Sequence, residues 1–259
     1  MRATLLSLTL IATLIAAASG CTCEQSTPRT AIPELDVPTL AASGGGAITI
    51  DGKLDEAAWQ KAGRTAPFVD PQRGNARPRS PVRGRARLLW DQNKLYAAFV
   101  VHDANASSPF GADDVDPHVW ARASGVELMI QPGDHGDNRT YFEVQVGVNR
   151  EVWDTRFDDY NRPITGPRGK RRFGHQSWKS GIERAVHVDR AAGRYTLELA
   201  LPWRALASKR AATPPKAGDV WRMNFYTFRD GQRHALGWSA LLGKGNFHRA
   251  SRFGRVRFK

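Results

Sequence analysis

Two short runs carry the residues most able to do chemistry. In residues 125–131, Val126, Leu128 and Ile130 alternate with Glu127, Met129 and Gln131; in 140–148, Phe142, Val144, Val146 and Val148 alternate with Tyr141, Glu143 and Gln145. A strand sends successive side chains to opposite faces, so each run sets an apolar face against a polar one. The segment between them, Pro132 to Asn138, is rich in Gly, Asp and Asn, which predicts a turn and antiparallel pairing. Glu127, Tyr141, Glu143 and Gln145 would then share one polar face. Planar donors and acceptors beside aromatic rings suit sugars, whose hydroxyls need hydrogen bonds and whose pyranose rings have apolar faces. A glycosidase acid and base is the catalytic alternative, and it needs a defined carboxyl separation and unequal pKa values. Two carboxylates on one face also repel, so a calcium ion, the nearby Arg122 or a raised pKa must resolve them.

Other residue groups have their own chemistry. Asp113, Asp114 and Asp116, and separately Asp134 and Asp137, are oxygen donors of the kind calcium prefers, although neither loop has twelve-residue EF-hand spacing. His135 reads as an exposed loop residue. Haem would require His or Met axial ligands. After the leader those are Met129 and Met223, with His102, His118, His135, His175, His187, His234 and His248. No spacing selects a pair. No G-x-S-x-G, H-E-x-x-H or phosphate-cradling glycine loop occurs.

The elements that must hold these residues read as strands. Short β-branched and aromatic runs recur between turn clusters. Strands are predicted at 47–50, 82–90, 95–103, 125–131, 140–148, 151–157, 182–188, 195–201, 220–229 and 252–258, with helical turns at 55–62 and 203–206. An all-β antiparallel sandwich of about ten strands follows. Trp59, Trp90, Trp203 and Trp221 read as core residues, and Trp153, Asp154 and Trp238 are undecided. Trp120 lies in a polar loop, where core packing explains it less readily.

Targeting and charge bound the setting. Arg2, the apolar run from Leu5 to Ala18, and Ala18-Ser19-Gly20 before Cys21 form a secretory signal over residues 1–20, with an apolar stretch too short to span a bilayer. Small residues before Cys21 resemble a bacterial lipobox, which implies acylation at Cys21 and attachment at the cell envelope. Thr22, rather than Asp, points to the outer membrane. Cys21 and Cys23 are the only cysteines, so the fold relies on its core and not on a disulfide. Residues 21–46, rich in Ser, Thr, Pro and Gly, read as a flexible tether, leaving 47–259 as one domain. The formal charge of +13 favours anionic surroundings such as lipopolysaccharide. An exported, anchored protein has little access to nucleic acid, and a monomer is expected.

Five segments in order then resemble family 9 carbohydrate-binding modules. They are Ile50-Asp51-Gly52-Lys53-Leu54-Asp55-Glu56 leading to Trp59, Leu89-Trp90-Asp91 with Leu95-Tyr96, Ser124-Gly125-Val126-Glu127, Leu199-Ala200-Leu201-Pro202-Trp203, and Phe253-Gly254-Arg255-Val256-Arg257-Phe258. Tyr141-Phe142-Glu143, Glu151-Val152-Trp153-Asp154 and Asn246-Phe247-His248 are similar to a stand-alone bacterial subgroup. The resemblance implies a β-sandwich of the DOMON type that binds an oligo- or polysaccharide without catalysis. It also implies an aromatic clamp of Trp120 and Phe247, with Glu127 accepting sugar hydroxyls and Gln145 and His248 nearby. Glu143 stands where the resemblance implies an arginine, a reversal of charge. A haem-binding domain of the same fold and a structural adhesion protein of the envelope remain open alternatives.

Overall fold

The computed structural model describes residues 27–166, 171–243 and 245–259. The signal segment and Cys21 lie outside the described residues. Among the described residues, fourteen strands form two packed sheets and one small ribbon. The first sheet runs in the order β1 (Glu34–Val37), β14 (Gly254–Phe258), β12 (Val220–Phe228), β5 (Gly125–Gln131), β6 (Arg139–Gly147) and β7 (Val152–Asp159), with β13 (Leu236–Gly237) paired to β12. The second runs β10 (Glu183–Asp189), β11 (Arg194–Pro202), β4 (Lys94–His102), β3 (Arg83–Trp90) and β2 (Gly63–Arg64). β8 (Ile164–Thr165) pairs with β9 (Arg171–Arg172).

Alternation decides what faces inward. Val126, Leu128 and Ile130 of β5 and Phe142, Val144 and Val146 of β6 enter the main core, where they meet Leu88, Ala97, Phe99, Leu197 and Leu199 of the opposite sheet. Trp90, Trp203 and Trp221 are buried there around Phe258, each meeting that ring edge-on at 5.4–5.7 Å. Trp238 also joins this core, stacked on Phe225 at 5.4 Å. Such tilted and offset aromatic contacts contribute beyond their buried area. The predicted turn closes β5 onto β6 antiparallel, and the helical turn at Trp203–Leu206 is present.

Two regions depart from the sequence reading. The expected tether is not free over its second half: Glu34–Val37 forms β1, parallel to β14, and Leu35, Val37, Leu40 and Ser43 are buried. The reason is a four-residue alternation inside a polar composition. Leu35 and Val37 point into the core, while Glu34 and Asp36 face Arg255, Arg257 and Lys259. Conversely, 47–50 forms no strand. There, and just beyond, side-chain carboxyl groups take up backbone donors in place of a neighbouring strand: Thr49 N donates to Glu56 Oε1 at 2.9 Å, and Asp51 N to Glu198 Oε2 at 3.0 Å. The short helix α1 (Ala58–Lys61) then lays Trp59 on the outer face of the second sheet against Leu89, Tyr96 and Ala98.

Candidate functional site

The outer face of the first sheet carries the polar residues, and pairing register sets them in rows. Tyr226, Glu127, Gln145 and Trp153 lie opposite one another across β12, β5, β6 and β7, and the next row is Asn224, Met129, Glu143 and Thr155. Tyr141 and Phe157 follow, stacked at 4.6 Å. This face is not open to solvent. The segment 247–253 covers one side of it with Phe247, Ala250 and Phe253, and the helix α2 (Val119–Arg122) with Ala123 covers another, against Phe228. Glu127, Met129, Tyr141, Glu143 and Gln145 are all buried beneath.

Between the two covers lies a cavity of about 530 Å³, a volume ordinary for small-molecule sites of roughly 300–1,000 Å³. Trp120, Trp153, Phe157, Tyr160 and Phe173 supply its aromatic lining; Glu143, Thr155, Gln176, Gln232, Asn246 and His248 supply polar groups. Among the described lining residues there is no Lys or Arg. One wall is a ring stack: Tyr160 lies on the His248 imidazole at 3.8 Å and 12°, and on Phe173 at 4.9 Å. Asn246 Nδ2 donates to the Tyr160 hydroxyl at 2.7 Å, which fixes that ring. On the α2 side, Trp120 is partly exposed and stacks on His118 at 5.5 Å.

The floor is a hydrogen-bonded carboxyl pair. Gln145 Oε1 accepts from Trp120 N at 2.9 Å, so its amide nitrogen must face the other way. That single nitrogen donates to Glu143 Oε1 at 2.6 Å and to Glu127 Oε2 at 3.1 Å. Gln232 Nε2 adds a bond to Glu127 Oε2 at 3.0 Å. Burial raises both carboxyl groups, Glu143 to about 8 and Glu127 well above the usual carboxylate range, the latter also through repulsion by Glu143. The repulsion expected from the sequence is thus resolved by protonation. Arg122 instead sits over the Phe110 ring at 5.8 Å. His248 is held neutral, since burial lowers it to about 3. Its Nδ1 meets the Tyr141 hydroxyl at 2.7 Å, and its Nε2 is 3.8 Å from Glu143 Oε2.

Three buried polar atoms of the cavity lining have no hydrogen-bond partner among the described residues: Glu143 Oε2, Thr155 Oγ1 and Trp153 Nε1. Buried polar atoms are ordinarily satisfied, so three along one wall mark where a ligand's polar groups belong. Gly174 stands close above Thr155; a Cβ there would come within 2.6 Å of the Thr155 hydroxyl.

The six binding residues expected from sequence divide. Trp120, Glu143 and His248 line the cavity. Glu127 and Gln145 lie behind Glu143 as its support and do not line it. Phe247 is a correction: its ring packs flat on Tyr226 at 4.0 Å in the covering layer, so it holds the lid segment down and forms no clamp. Sequence reasoning missed Thr155, Phe157, Tyr160, Phe173, Gln176 and Gln232, and left Trp153 open. Alternation along β7 carries a signal for Trp153, Thr155 and Phe157; the others come from loops.

Among the described residues no group of three or more His, Cys, Asp or Glu side chains is placed to hold a metal, in the acidic loops or elsewhere. Basic residues already occupy them. Asp134 is bound by Arg222 and Arg255, and Asp137 by both terminal nitrogens of Arg210 at 2.7–2.8 Å, which lowers its carboxyl to about 2. Asp116 pairs with Lys179, Asp114 accepts from Gly111 N, and Asp113 is exposed. Asp154 is no turn residue; it is buried and receives Ser180 N and Oγ at 2.7 Å. As for haem ligands, Met223 is in the main core and Met129 on β5 beneath the covering segment, and neither lines the cavity.

With the sandwich and its cavity described, the comparisons agree on the class. The model of the family "carbohydrate family 9 binding domain-like" matches residues 50–259, and the chain belongs to that family. Among solved structures it is similar to a family 9 carbohydrate binding module from Caldicellulosiruptor kristjanssonii in complex with cellotriose (15% identity, TM-score 0.53, covering 87% of this chain and 93% of that one). The glucose complex of a module from the same organism gives 15% identity, TM-score 0.54 and coverage of 87% and 95%. A candidate carbohydrate-binding protein from Bacteroides uniformis ATCC 8492 matches at 17% identity and TM-score 0.63, over 88% of this chain and 100% of that one. These likenesses establish the fold. No curated protein matches the chain.

Proposed function

We propose that this protein binds carbohydrate in the cavity over β6 and β7, and does so without cleaving it. The observation that carries this reading is the set of unpartnered buried atoms, Glu143 Oε2, Thr155 Oγ1 and Trp153 Nε1, beside the Tyr160 ring. Two acceptors that can also donate and one pure donor suit a row of hydroxyls, and the aromatic lining, with Trp120 partly exposed, suits the C–H face of a pyranose. Family membership and the sugar-bound state of two similar modules support the same reading. Hydrolysis asks for two carboxyl groups flanking the bond. Here Glu127 does not line the cavity, and Glu143 is the one carboxyl residue among its described lining. We further propose that residues 1–20 are a secretory signal and that Cys21 is acylated, which would hold the domain at the outer membrane of the cell envelope, where it would serve polysaccharide breakdown.

The test is titration of the full chain with neutral mono- and oligosaccharides, followed by tryptophan fluorescence and calorimetry. A saturable change that Trp120→Ala weakens about five- to tenfold is expected, because a ring contact contributes on the order of 1 kcal/mol. Adsorption through the basic surface instead would bind anionic polymers alone and vanish in salt; that result would sink the proposal.

A further inference from the structure

We infer that the preferred ligand is a cationic amino sugar, a pyranose bearing a free ammonium group, and that Glu143 receives the ammonium. This rests on the carbohydrate reading of the cavity and adds the substrate class.

The case begins with a shortage of donors. Glu127 and Glu143 together present four oxygens, and two amide groups, of Gln145 and Gln232, serve two of them. Glu127 Oε1 and Glu143 Oε2 are left over, although both residues are almost fully buried. Of the two residues, Glu143 is the one that lines the cavity. An ammonium carries three donors and no acceptor, whereas a hydroxyl carries one donor and two lone pairs. Thr155 lies opposite Glu143 in the β6–β7 register, and its unpartnered hydroxyl can accept a second ammonium hydrogen. The lining adds aromatic faces, whose negative quadrupole attracts a cation, and no Lys or Arg competes among its described residues. The same wall disfavours uronic acids and sulfated sugars despite the protein's net charge of +13.

Proton linkage makes the inference measurable. The groups facing Glu143 are Glu127 of β5, Tyr226 of β12, Tyr141 of β6, and the loop residues Tyr160 and His248. The three tyrosines are raised and His248 is held neutral, so near neutrality only the carboxyl pair exchanges protons. Below about pH 7 free Glu143 is protonated, and pairing with an ammonium must release that proton.

The full chain is titrated with glucosamine and a glucosamine oligomer, and in parallel with glucose and N-acetylglucosamine. Calorimetry at about pH 6 in buffers of different ionisation enthalpy counts protons. The expected result is tighter binding of the amino form by about tenfold or more over the N-acetylated one. Release approaching one proton per glucosamine, and none with glucose, is expected beside it. Glu143→Gln should abolish both the preference and the release. Should that variant fail to fold, the wild-type ranking and proton count decide alone. Equal binding of glucose and glucosamine without proton exchange would overturn the inference and leave carbohydrate binding standing. No saturable binding of any sugar would overturn both.

Discussion

Glu143→Gln should make this protein more stable in alkali and leave it nearly unchanged in mild acid. In the folded chain Glu143 is 3% exposed, and burial raises its carboxyl from 4.5 to about 8. The unfolded chain releases that proton near 4.5, so between the two values the folded state holds more protons and stability falls as pH rises. A shift of this size corresponds to a loss on the order of 4–5 kcal/mol accumulated across that window. Glutamine keeps the shape, can still accept from Gln145 Nε2 through its oxygen, and never ionises. Removing Glu143 also takes away the repulsion that helps to raise Glu127, which acts in the same direction. Urea denaturation of both proteins from about pH 5 to 9 reads the difference, each midpoint converted through its m value. The two curves should meet at the acid end and separate by several kcal/mol at the alkaline end. Parallel curves would mean that Glu143 is ionised in the folded state, and the protonated floor of the cavity would have to be abandoned.

Other perturbations test the elements that carry the site. Trp59→Phe removes the indole donor to buried Glu198 Oε1, held at 2.9 Å. It should cost about 1–3 kcal/mol for the unsatisfied acceptor, with thermal denaturation as the readout. Burial holds Glu198 up at about 7 against the pull of its donors, so the loss should grow above that pH as the carboxylate forms. Gly254→Ala would place a Cβ 2.3 Å from the Trp238 ring, in the core under β14; overpacking of this kind should lower the denaturation midpoint by roughly 1–3 kcal/mol. Deleting the chain through Val37 removes β1 and exposes positions packed by Leu35 and Val37. A loss of roughly 3–6 kcal/mol is expected from two buried aliphatic side chains, and an unchanged urea midpoint would show that β1 is dispensable.

What could be read from the sequence was whatever has a period of two. The β5 and β6 alternations assigned Glu127, Tyr141, Glu143 and Gln145 to one face and their apolar neighbours to the core, and both assignments hold. β1 was hidden because its Glu-Leu-Asp-Val alternation is four residues long inside a Thr-, Pro- and Gly-rich stretch, and its partner β14 is more than 200 positions away. The site was half legible for the same reason. Sheet register brings Thr155 beside Glu143, but only the cover formed by Phe247, Ala250 and Phe253 decides that the polar face is buried. Phe247 was misread because an aromatic residue in a loop can press inward onto Tyr226 as well as outward onto a ligand. The acidic loops looked like cation sites because Arg210, Arg222 and Arg255, distant in sequence, are what fill them.

Two polar networks on the same sheet show why the carboxyl pair reads as a binding floor and not as a folding compromise. Asn224 is as buried as Glu127, yet it is complete: its Nδ2 donates to the Tyr226 hydroxyl at 2.7 Å and to Ser239 O at 3.0 Å, and its Oδ1 accepts from Phe225 N and Ser239 N. A buried network closed in this way specifies packing and asks nothing of solvent or ligand. In the neighbouring network Trp120 N fixes Gln145 and Gln145 serves both carboxyl groups, while Glu127 Oε1 is left without a partner among the described residues. It stops at the cavity, where Glu143 Oε2, Thr155 Oγ1 and Trp153 Nε1 are unmatched. Unmatched buried atoms also occur elsewhere among the described residues, but these three belong to adjoining strands and to residues that line one cavity, next to the stack of Tyr160 and His248. The cost of leaving them unsatisfied in the free protein is recovered when a ligand supplies the missing partners, so affinity and selectivity should both reside in these three atoms.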